Sequence, residues 1–294
     1  METHTVPEGV SKIRITDYAI GIFSLMPSRK GIKKAVSRKE VLVDGKLVDS
    51  SHWVESGQVI DLLKSKVIKP KPYRISVPVV YEDEHIALVN KPGGVSVSGN
   101  QHRTMVQALP SYLSVSKEAD RLPLFYPVHR LDAPTCGLLL VAKTRRAQIF
   151  LGKQFADQSV HKEYTAVVHG LIEEEGEIST KISERSALST WERLKVFSSA
   201  RFGKLCLIRL SPKTGRTHQL RIHTSSLGHP ILGDKMYGQE GKILHAKGLF
   251  LCATRLCFEH PLSKETMEFS IDTPPKFSYY LEREQMRFQR MQSE

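Results

Sequence analysis

The sequence lacks the long apolar runs of membrane and secreted proteins. Its longest apolar stretches, such as Leu138–Ala142, are far shorter than the about 20 residues that a membrane-spanning helix needs. Residues 1–8 contain no apolar core of a signal peptide. We therefore expect a cytoplasmic protein with no membrane association.

Cysteine is scarce. The chain has four, at Cys136, Cys206, Cys252 and Cys257, and only the last two lie close together in sequence. Their spacing is not that of a zinc hairpin, so we expect reduced, mostly buried thiols and no metal ion.

The motifs of several common enzyme classes are also missing. The chain has no glycine-rich dinucleotide or phosphate loop, no Gly-x-Ser-x-Gly elbow and no paired-histidine zinc motif. The segment His129-Arg130-Leu131-Asp132 is similar to the catalytic loop of protein kinases, but its spacing differs by one residue. The glycine-rich loop and the Asp-Phe-Gly segment of kinases are absent as well, which excludes a kinase.

Basic residues are in clear excess. Among 294 residues, 43 are Lys or Arg and 31 are Asp or Glu, which gives a net charge of +12. This excess favours a polyanionic partner, and nucleic acid before an acidic protein. A basic protein without such a partner is the alternative.

Residues 64–78 divide the chain. They combine three prolines and five basic residues with weak periodicity, which is typical of a linker. We expect a small domain over residues 1–63 and a larger one over residues 79–294.

In the small domain, we expect helices at Asp17–Leu25 and Arg29–Ser37, the second capped by Ser28. A hairpin follows over residues 41–48, with one more strand at 58–63. The second helix carries six basic residues, Arg29, Lys30, Lys33, Lys34, Arg38 and Lys39. At helical spacing they form a broad basic surface, which favours RNA contact over a merely solvated face.

The larger domain alternates strands and helices unevenly, which indicates an α+β fold. Expected strands are 79–81, 86–90, 138–142, 164–168, 205–210 and 267–271, and expected helices are 144–157, 217–227 and 276–294. Thr144 and Thr217 are candidate helix caps, and Gly228 is a candidate C-terminal stop.

The loop at 128–137 places Asp132 directly before an apolar strand, where it could be half-buried and face a cleft. Taken alone, such an aspartate is more often a turn residue. Residues 162–164 begin another strand, and residues 215–223 bring two arginines and two histidines to one helix. Of these, His218 and His223 are five apart and cannot share a metal on a regular helix, so we expect structural or RNA-facing roles.

Together these segments resemble the RluA-like family of pseudouridine synthases. The matching segments follow the family's order and cover roughly residues 79–272: Asn90–Gly94, His129–Asp132, Thr135–Lys143, His161–Tyr164, Gly215–His223 and Gly228–Asp234. Residues 13–63 resemble the RNA-binding domain named for ribosomal protein S-four. The resemblance implies a mixed, mainly antiparallel catalytic sheet with flanking helices and a cleft, beside a small α/β RNA-binding domain.

The chain departs from the family pattern at three places. Ala133-Pro134-Thr135-Cys136-Gly137 stands where the family usually has Lys-Asp-Thr-Ser-Gly. Family members often have a histidine near the position that Ser98 occupies here. The small domain usually opens with Arg-Leu-Asp-Lys, and this chain has Ile15-Thr16-Asp17-Tyr18 instead. We expect these changes to alter the choice of RNA and not the reaction.

The resemblance implies isomerisation of uridine to pseudouridine in structured RNA, with no metal or organic cofactor. Asp132 matches the catalytic aspartate, Tyr164 the active-site tyrosine and Arg221 the basic residue that pairs with the aspartate. Arg130 and His129 adjoin the aspartate and are expected to contact the RNA. A carboxylate suits this reaction because it can form a covalent adduct or support oxocarbenium character beside an extruded base.

The RNA partner is less sharply defined. Family members with the extra domain often act on large-subunit ribosomal RNA, which we favour, with transfer RNA as the alternative and a monomer as the default state. A non-catalytic RNA-binding or ribosome-assembly protein on the same scaffold is a rival function. A nucleoside or glycoside hydrolase is another, although it would normally need a second carboxylate.

Overall fold

A computed structural model describes residues 2–23, 28–63, 73–99, 102–244 and 246–293. The chain forms two compact units, Met1–Lys69 and Pro70–Glu294. Within the described ranges, no helix is long and apolar enough to cross a membrane.

The described residues of the first unit form two small antiparallel sheets and two helices. Its elements are β1 (Glu2–Thr5), β2 (Ile13–Arg14), α1 (Ile15–Tyr18), α2 (Arg29–Ser37), β3 (Val41–Val43), β4 (Lys46–Leu47), β5 (Trp53–Val54) and β6 (Val59–Leu62). Four strands pair in the order β1-β6-β3-β4, and β2 pairs with β5. The apolar side of α2 is buried against this framework, through Ile32, Ala35 and Val36.

Local sequence rules account for much of this unit. The predicted helix Arg29–Ser37 has those bounds, and the Ser28 hydroxyl accepts a hydrogen bond from the Gly31 amide at 3.2 Å. The hairpin turns at Asp44 and Gly45, both with positive φ, as two-residue turns of this kind require. The first helix is shorter than expected, Ile15–Tyr18, and residues 24–27 lie outside the described ranges. Strand β1 was not predicted, because Glu2–Thr5 is polar throughout.

The second unit is built on one large sheet. Its elements are β7 (Val79–Glu82), β8 (Ile86–Lys91), α3 (Met105–Ala108), β9 (Arg121–Pro127), β10 (Cys136–Thr144), α4 (Arg145–Ala156), β11 (His161–His169), β12 (Glu175–Ile182), β13 (Arg185–Ser199), β14 (Gly203–Pro212), α5 (Gln219–Ser226), β15 (Leu251–Glu259), β16 (Thr266–Ser270) and α6 (Lys276–Ser293).

The strands follow the order β12-β13-β14-β11-β15-β10-β8-β7, with β16 on β15 and β9 on β10. Every described pair in this sheet is antiparallel except β10 with β15, which is parallel. The predicted α+β fold with a mixed, mainly antiparallel sheet is therefore confirmed.

In the second unit several element boundaries agree with the sequence, and the start of α5 does not. The Thr144 hydroxyl caps α4 by accepting from the Ala147 amide at 3.3 Å. Helix α5 begins after His218 and not after Thr217, so the predicted cap at Thr217 is wrong. The same helix stops as expected before Gly228, where φ is +81° and the Gly228 amide donates to the Ser225 carbonyl at 2.9 Å.

The segment predicted as a linker is described only from residue 73 onwards. There the Tyr73 amide donates to the Gln107 carbonyl at 3.4 Å, and Val77 is buried in the second unit. Residues 73–78 therefore pack along the sheet domain.

The start of β10 is fixed by a close approach between strands. Gly137 pairs with Ala253 of β15 and has a φ of +112°, and a Cβ atom on it would lie 2.2 Å from the Ala253 carbonyl oxygen. Only glycine fits this position. Because all of Cys136–Thr144 is buried, the loop that carries Asp132 joins a rigid strand.

We expect Gly137→Ala to destabilise the second unit by roughly 2–5 kcal/mol, from backbone strain and overpacking. Gly152→Ala on α4 is the matched control, because a Cβ atom added at Gly152 would meet nothing within 4 Å. That substitution should stabilise the chain by up to about 1 kcal/mol. Urea unfolding measures both changes, and equal stability of the two variants would contradict the close approach.

Candidate active site

Three of the segments singled out in the sequence meet at one cleft. Its volume is about 290 Å³, and its walls come from residues 128–132 with Thr135 on one side and from Pro212 and residues 214–221 on the other. Tyr164, Phe155, Gln158, Lys162 and Leu251 also line it. A cleft of this size lies at the lower end of the about 300–1,000 Å³ that small-molecule pockets occupy.

Asp132 occupies the cleft wall with its side chain 15% exposed. Its Oδ2 accepts a hydrogen bond from Arg221 Nη1 at 3.3 Å. Its Oδ1 lies 3.8 Å from His218 Nε2, beyond hydrogen-bond distance. One carboxylate oxygen is therefore held by a cation, while the other is available to a molecule in the cleft.

Arg221 binds a second carboxylate more tightly than it binds Asp132. Its Nε donates to Asp234 Oδ2 at 2.6 Å, and its Nη2 donates to Asp234 Oδ1 at 2.8 Å. The Asp234 side chain is completely buried. The prediction paired Arg221 with Asp132, and the structure adds Asp234 as the partner that fixes the guanidinium in a two-pronged contact.

The charges of this triad follow from its surroundings. Burial would raise the pKa of Asp234, but hydrogen bonds from Arg221 and from the Met236 and Tyr237 amides outweigh it and hold the pKa below its usual value. Burial likewise opposes the charge of Arg221, yet Asp234 and Asp132 raise its pKa overall. Asp234 and Arg221 therefore form an ion pair at neutral pH, and the partly exposed Asp132 contacts Arg221 from the cleft wall.

Tyr164 lies on β11 and lines the same cleft. Burial raises the pKa of its hydroxyl well above the usual value, and the nearby charge of Asp132 adds to this. The phenol therefore stays neutral and can donate a hydrogen bond or present its ring face to a ligand.

His218 connects the triad to a second tyrosine. It precedes α5 with a left-handed φ of +57°, and its Nδ1 lies 3.0 Å from the Tyr237 hydroxyl. The Tyr237 ring centre lies 5.1 Å from the guanidinium carbon of Arg221. His223 instead contacts Thr180 and Ser189, which holds α5 against the β12–β13 hairpin.

The two residues predicted to touch RNA beside Asp132 differ in placement. Arg130 is exposed at the mouth of the cleft. The His129 ring stacks on Phe155 with centres 4.8 Å apart, and its Nε2 accepts from the Leu140 amide at 3.0 Å. Burial lowers the pKa of His129 to about 3, so it stays neutral. This arrangement ties His129 to the β10 backbone and does not support its predicted RNA contact.

Lys91 holds the backbone of the Asp132 loop at Ala133. Its side chain is fully buried, and its ammonium donates to the carbonyls of Pro92 at 2.8 Å, Val95 at 2.7 Å and Ala133 at 3.2 Å. Burial lowers its pKa to about 8. Sequence reasoning placed Lys91 in a matching segment without giving it this role.

The six basic residues on and after α2 are all exposed. Arg29 is paired with Asp17, with Nε 3.0 Å from Oδ1. In the described part of the chain, no group of three or more His, Cys, Asp or Glu side chains could hold a metal ion.

The buried ion pair makes a prediction for stability against pH. Because the pKa of Asp234 is lower in the folded chain, its ionised form stabilises the fold above the ordinary pKa. That contribution is lost as the pH falls through the folded pKa. We expect Asp234→Asn to destabilise the chain by about 3–5 kcal/mol at pH 7, since it leaves Arg221 short of a partner.

Urea unfolding of wild type and Asp234→Asn at neutral and acidic pH measures this difference, which should shrink as the pH falls below about 4. Asp272→Asn, at an exposed position, is the control and should change little at either pH. A penalty for Asp234→Asn that is independent of pH would contradict the ion pair.

Comparisons with known proteins identify the family. The sequence model of the family described as RNA pseudouridylate synthase matches residues 85–226. Ribosomal large subunit pseudouridine synthase D of Zymomonas mobilis is 35% identical over 241 residues, which cover 73% of this chain and 75% of that protein. Dual-specificity RNA pseudouridine synthase RluA of Vibrio cholerae is 38% identical over 64% of this chain and 79% of that protein.

A solved structure gives the same result. Human RNA pseudouridylate synthase domain containing 1 superposes with a TM-score of 0.58 at 27% identity, covering 72% of this chain and 89% of that one. With relatives that are at least 30% identical and matched over most of their length, the chain belongs to the RluA-like family of RNA pseudouridine synthases and is an isomerase.

Proposed function

We propose that this chain isomerises uridines in large-subunit ribosomal RNA, with Asp132 as the catalytic carboxylate. One observation carries the assignment of Asp132. Its Oδ2 is held by Arg221, whose other nitrogens are fixed on buried Asp234, while its Oδ1 lies 3.8 Å from His218 Nε2, beyond hydrogen-bond distance, on a residue that lines the cleft. This is the arrangement that a nucleophile or charge stabiliser needs.

The reaction breaks one bond to the ribose and forms another. The bond from the ribose anomeric carbon to ring nitrogen 1 breaks, and a bond from that carbon to ring carbon 5 forms. A proton leaves carbon 5 and nitrogen 1 gains one, so the atoms balance without a co-reactant. The uracil must first leave the helix stack and enter a pocket. In the cleft, Asp132 would stand beside the reacting carbon, where a carboxylate can add covalently or stabilise positive charge.

We propose that Tyr164 and Arg130 complete the site. The neutral phenol of Tyr164 would stack on the extruded uracil or exchange a proton with it. Arg130 is exposed beside Asp132, where its guanidinium could fill the space that the flipped base leaves. Arg221 holds Oδ2 of this carboxylate at 3.3 Å and fixes its rotamer.

The ribosomal target rests on two supports. Relatives matched over most of their length are named for the large ribosomal subunit, from Zymomonas mobilis and Haemophilus influenzae. The other support is the small unit, because family members with this extra domain often act on large-subunit ribosomal RNA. We propose that residues 1–63 form an RNA-binding domain and residues 79–294 a catalytic domain. Transfer RNA is the competing target, and other relatives are named as dual-specificity RNA pseudouridine synthases, a name that does not single out one RNA. A monomer in the cytoplasm is the proposed state.

The role of Asp132 is tested by Asp132→Asn. We expect pseudouridine formation to fall by about 10⁴-fold or more, as when a catalytic nucleophile is removed, because the amide can neither attack nor balance the charge. The measurement is a pseudouridine map of cellular RNA from a strain that expresses only the variant. Persistence of every site, in a strain with no redundant enzyme, would refute the role.

The small unit's role in RNA binding is tested by reversing Lys33 and Lys34 to glutamate. Two lost phosphate contacts should weaken RNA binding. They should also reduce the salt slope, which is the steepness with which the logarithm of the binding constant falls with the logarithm of salt concentration, by about 1.4 to 1.8. Lys12→Glu with Lys46→Glu makes the same charge change elsewhere in this unit and is the control. An unchanged slope for the α2 variant, or equal effects of both pairs, would remove the RNA role of α2.

A further inference from the structure

A second and larger cavity adjoins the cleft at Asp132. This groove has a volume of about 1310 Å³, against 290 Å³ for the cleft. Arg130, Asp132, His218 and Arg221 line both. An RNA strand whose target base occupied the cleft would therefore place neighbouring nucleotides in the groove, which has room for more than one.

The groove contains the residues that depart from the family pattern. Ala133, Pro134 and Cys136 all line the groove, and none of them lines the cleft. Thr135, which agrees with the pattern, lines the cleft with Asp132. Within this loop, the unusual residues thus line the groove and not the cleft.

This part of the groove wall is held in a fixed shape. The Ala133 carbonyl accepts from Lys91 Nζ at 3.2 Å and from the Gly94 amide at 2.7 Å. A Cβ atom on Gly93 would lie 3.0 Å from the Pro134 carbonyl oxygen, so the two segments are in close contact. The Ala133–Pro134 surface is uncharged and rigid, which suits the face of a base better than a phosphate.

The groove also carries cations without anionic partners. Arg130, Lys235 and Lys247 line it and are exposed, and in the described chain none of their side chains has an ion-pair partner. Lys91 and Lys276 line it too, but they donate to backbone carbonyls. Next to Lys235, Met236 is 64% exposed and adds apolar surface.

We propose that this groove binds the ribonucleotides that adjoin the target uridine and sets the choice of target. The phosphates would lie at Lys235 and Lys247, and the neighbouring base would lie against Ala133–Pro134 and Met236. The inference rests on the proposed function, because it takes the cleft as the site of the reacting base.

The first test exchanges the unusual wall for the family's residues, as Ala133→Lys with Pro134→Asp. The full chain is incubated with RNA from cells that lack this protein, and the rate at each uridine is mapped. We expect the ratio of rates between sites with different neighbours to change by about tenfold or more. An active variant that keeps the wild-type ratios would overturn the proposal.

The second test uses exposed residues, so that it does not depend on folding of the exchanged loop. Lys235→Glu with Lys247→Glu should weaken binding of the same RNA and lower the salt slope by about 1.4. Lys195→Glu with Lys204→Glu makes the same charge change outside both cavities and should leave the slope near that of wild type. Equal losses for the two pairs, or no loss for the groove pair, would overturn the proposal.

These outcomes separate the groove from the proposed function. A wild-type chain that forms no pseudouridine on any RNA would refute the function. The binding comparison would still decide whether the groove takes RNA.

Discussion

The guanidinium of Arg221 lies between two carboxylates, and the geometry of the cleft depends on it. Asp234 holds it by two short hydrogen bonds in a buried position, and Asp132 takes its remaining nitrogen at the cleft wall. Removing either partner of the buried pair would leave an uncompensated charge, which is far more costly than a lost surface ion pair. The triad thereby joins helix α5, the turn at Asp234 and the loop before β10 into one rigid unit.

The large sheet also holds the Asp132 loop in place. The parallel contact of Gly137 with Ala253 fixes where β10 begins, and Lys91 ties the Ala133 carbonyl to the neighbouring segment. A catalytic carboxylate gains most from supports that do not move during the reaction. The Asp132 loop has such supports at the Ala133 backbone and at Gly137, so its side chains can vary in this region without moving the carboxylate.

Sequence patterns predicted the α+β class, most strands and three members of the site, because apolar runs, caps and the joint motifs are local. Asp234 was not assigned, since a Gly-Asp pair resembles an ordinary turn until its partner is known. The start of α5 was misplaced by one residue because a left-handed histidine leaves no mark in sequence. His129 was predicted to contact RNA, whereas in the structure its ring stacks on Phe155 and accepts a hydrogen bond from the Leu140 amide. The β12–β13 hairpin was missed because exposed charged residues obscure its strands.

Tritium release from RNA labelled at carbon 5 of uridine tests the central claim most directly, because forming pseudouridine must expel that hydrogen. Wild-type chain and large-subunit ribosomal RNA should release tritium with no free uracil. Free uracil would instead indicate hydrolysis of the glycosidic bond. Tight RNA binding without tritium release from ribosomal or transfer RNA would contradict the account, because the chain would then be an RNA-binding protein that retains the fold without the reaction.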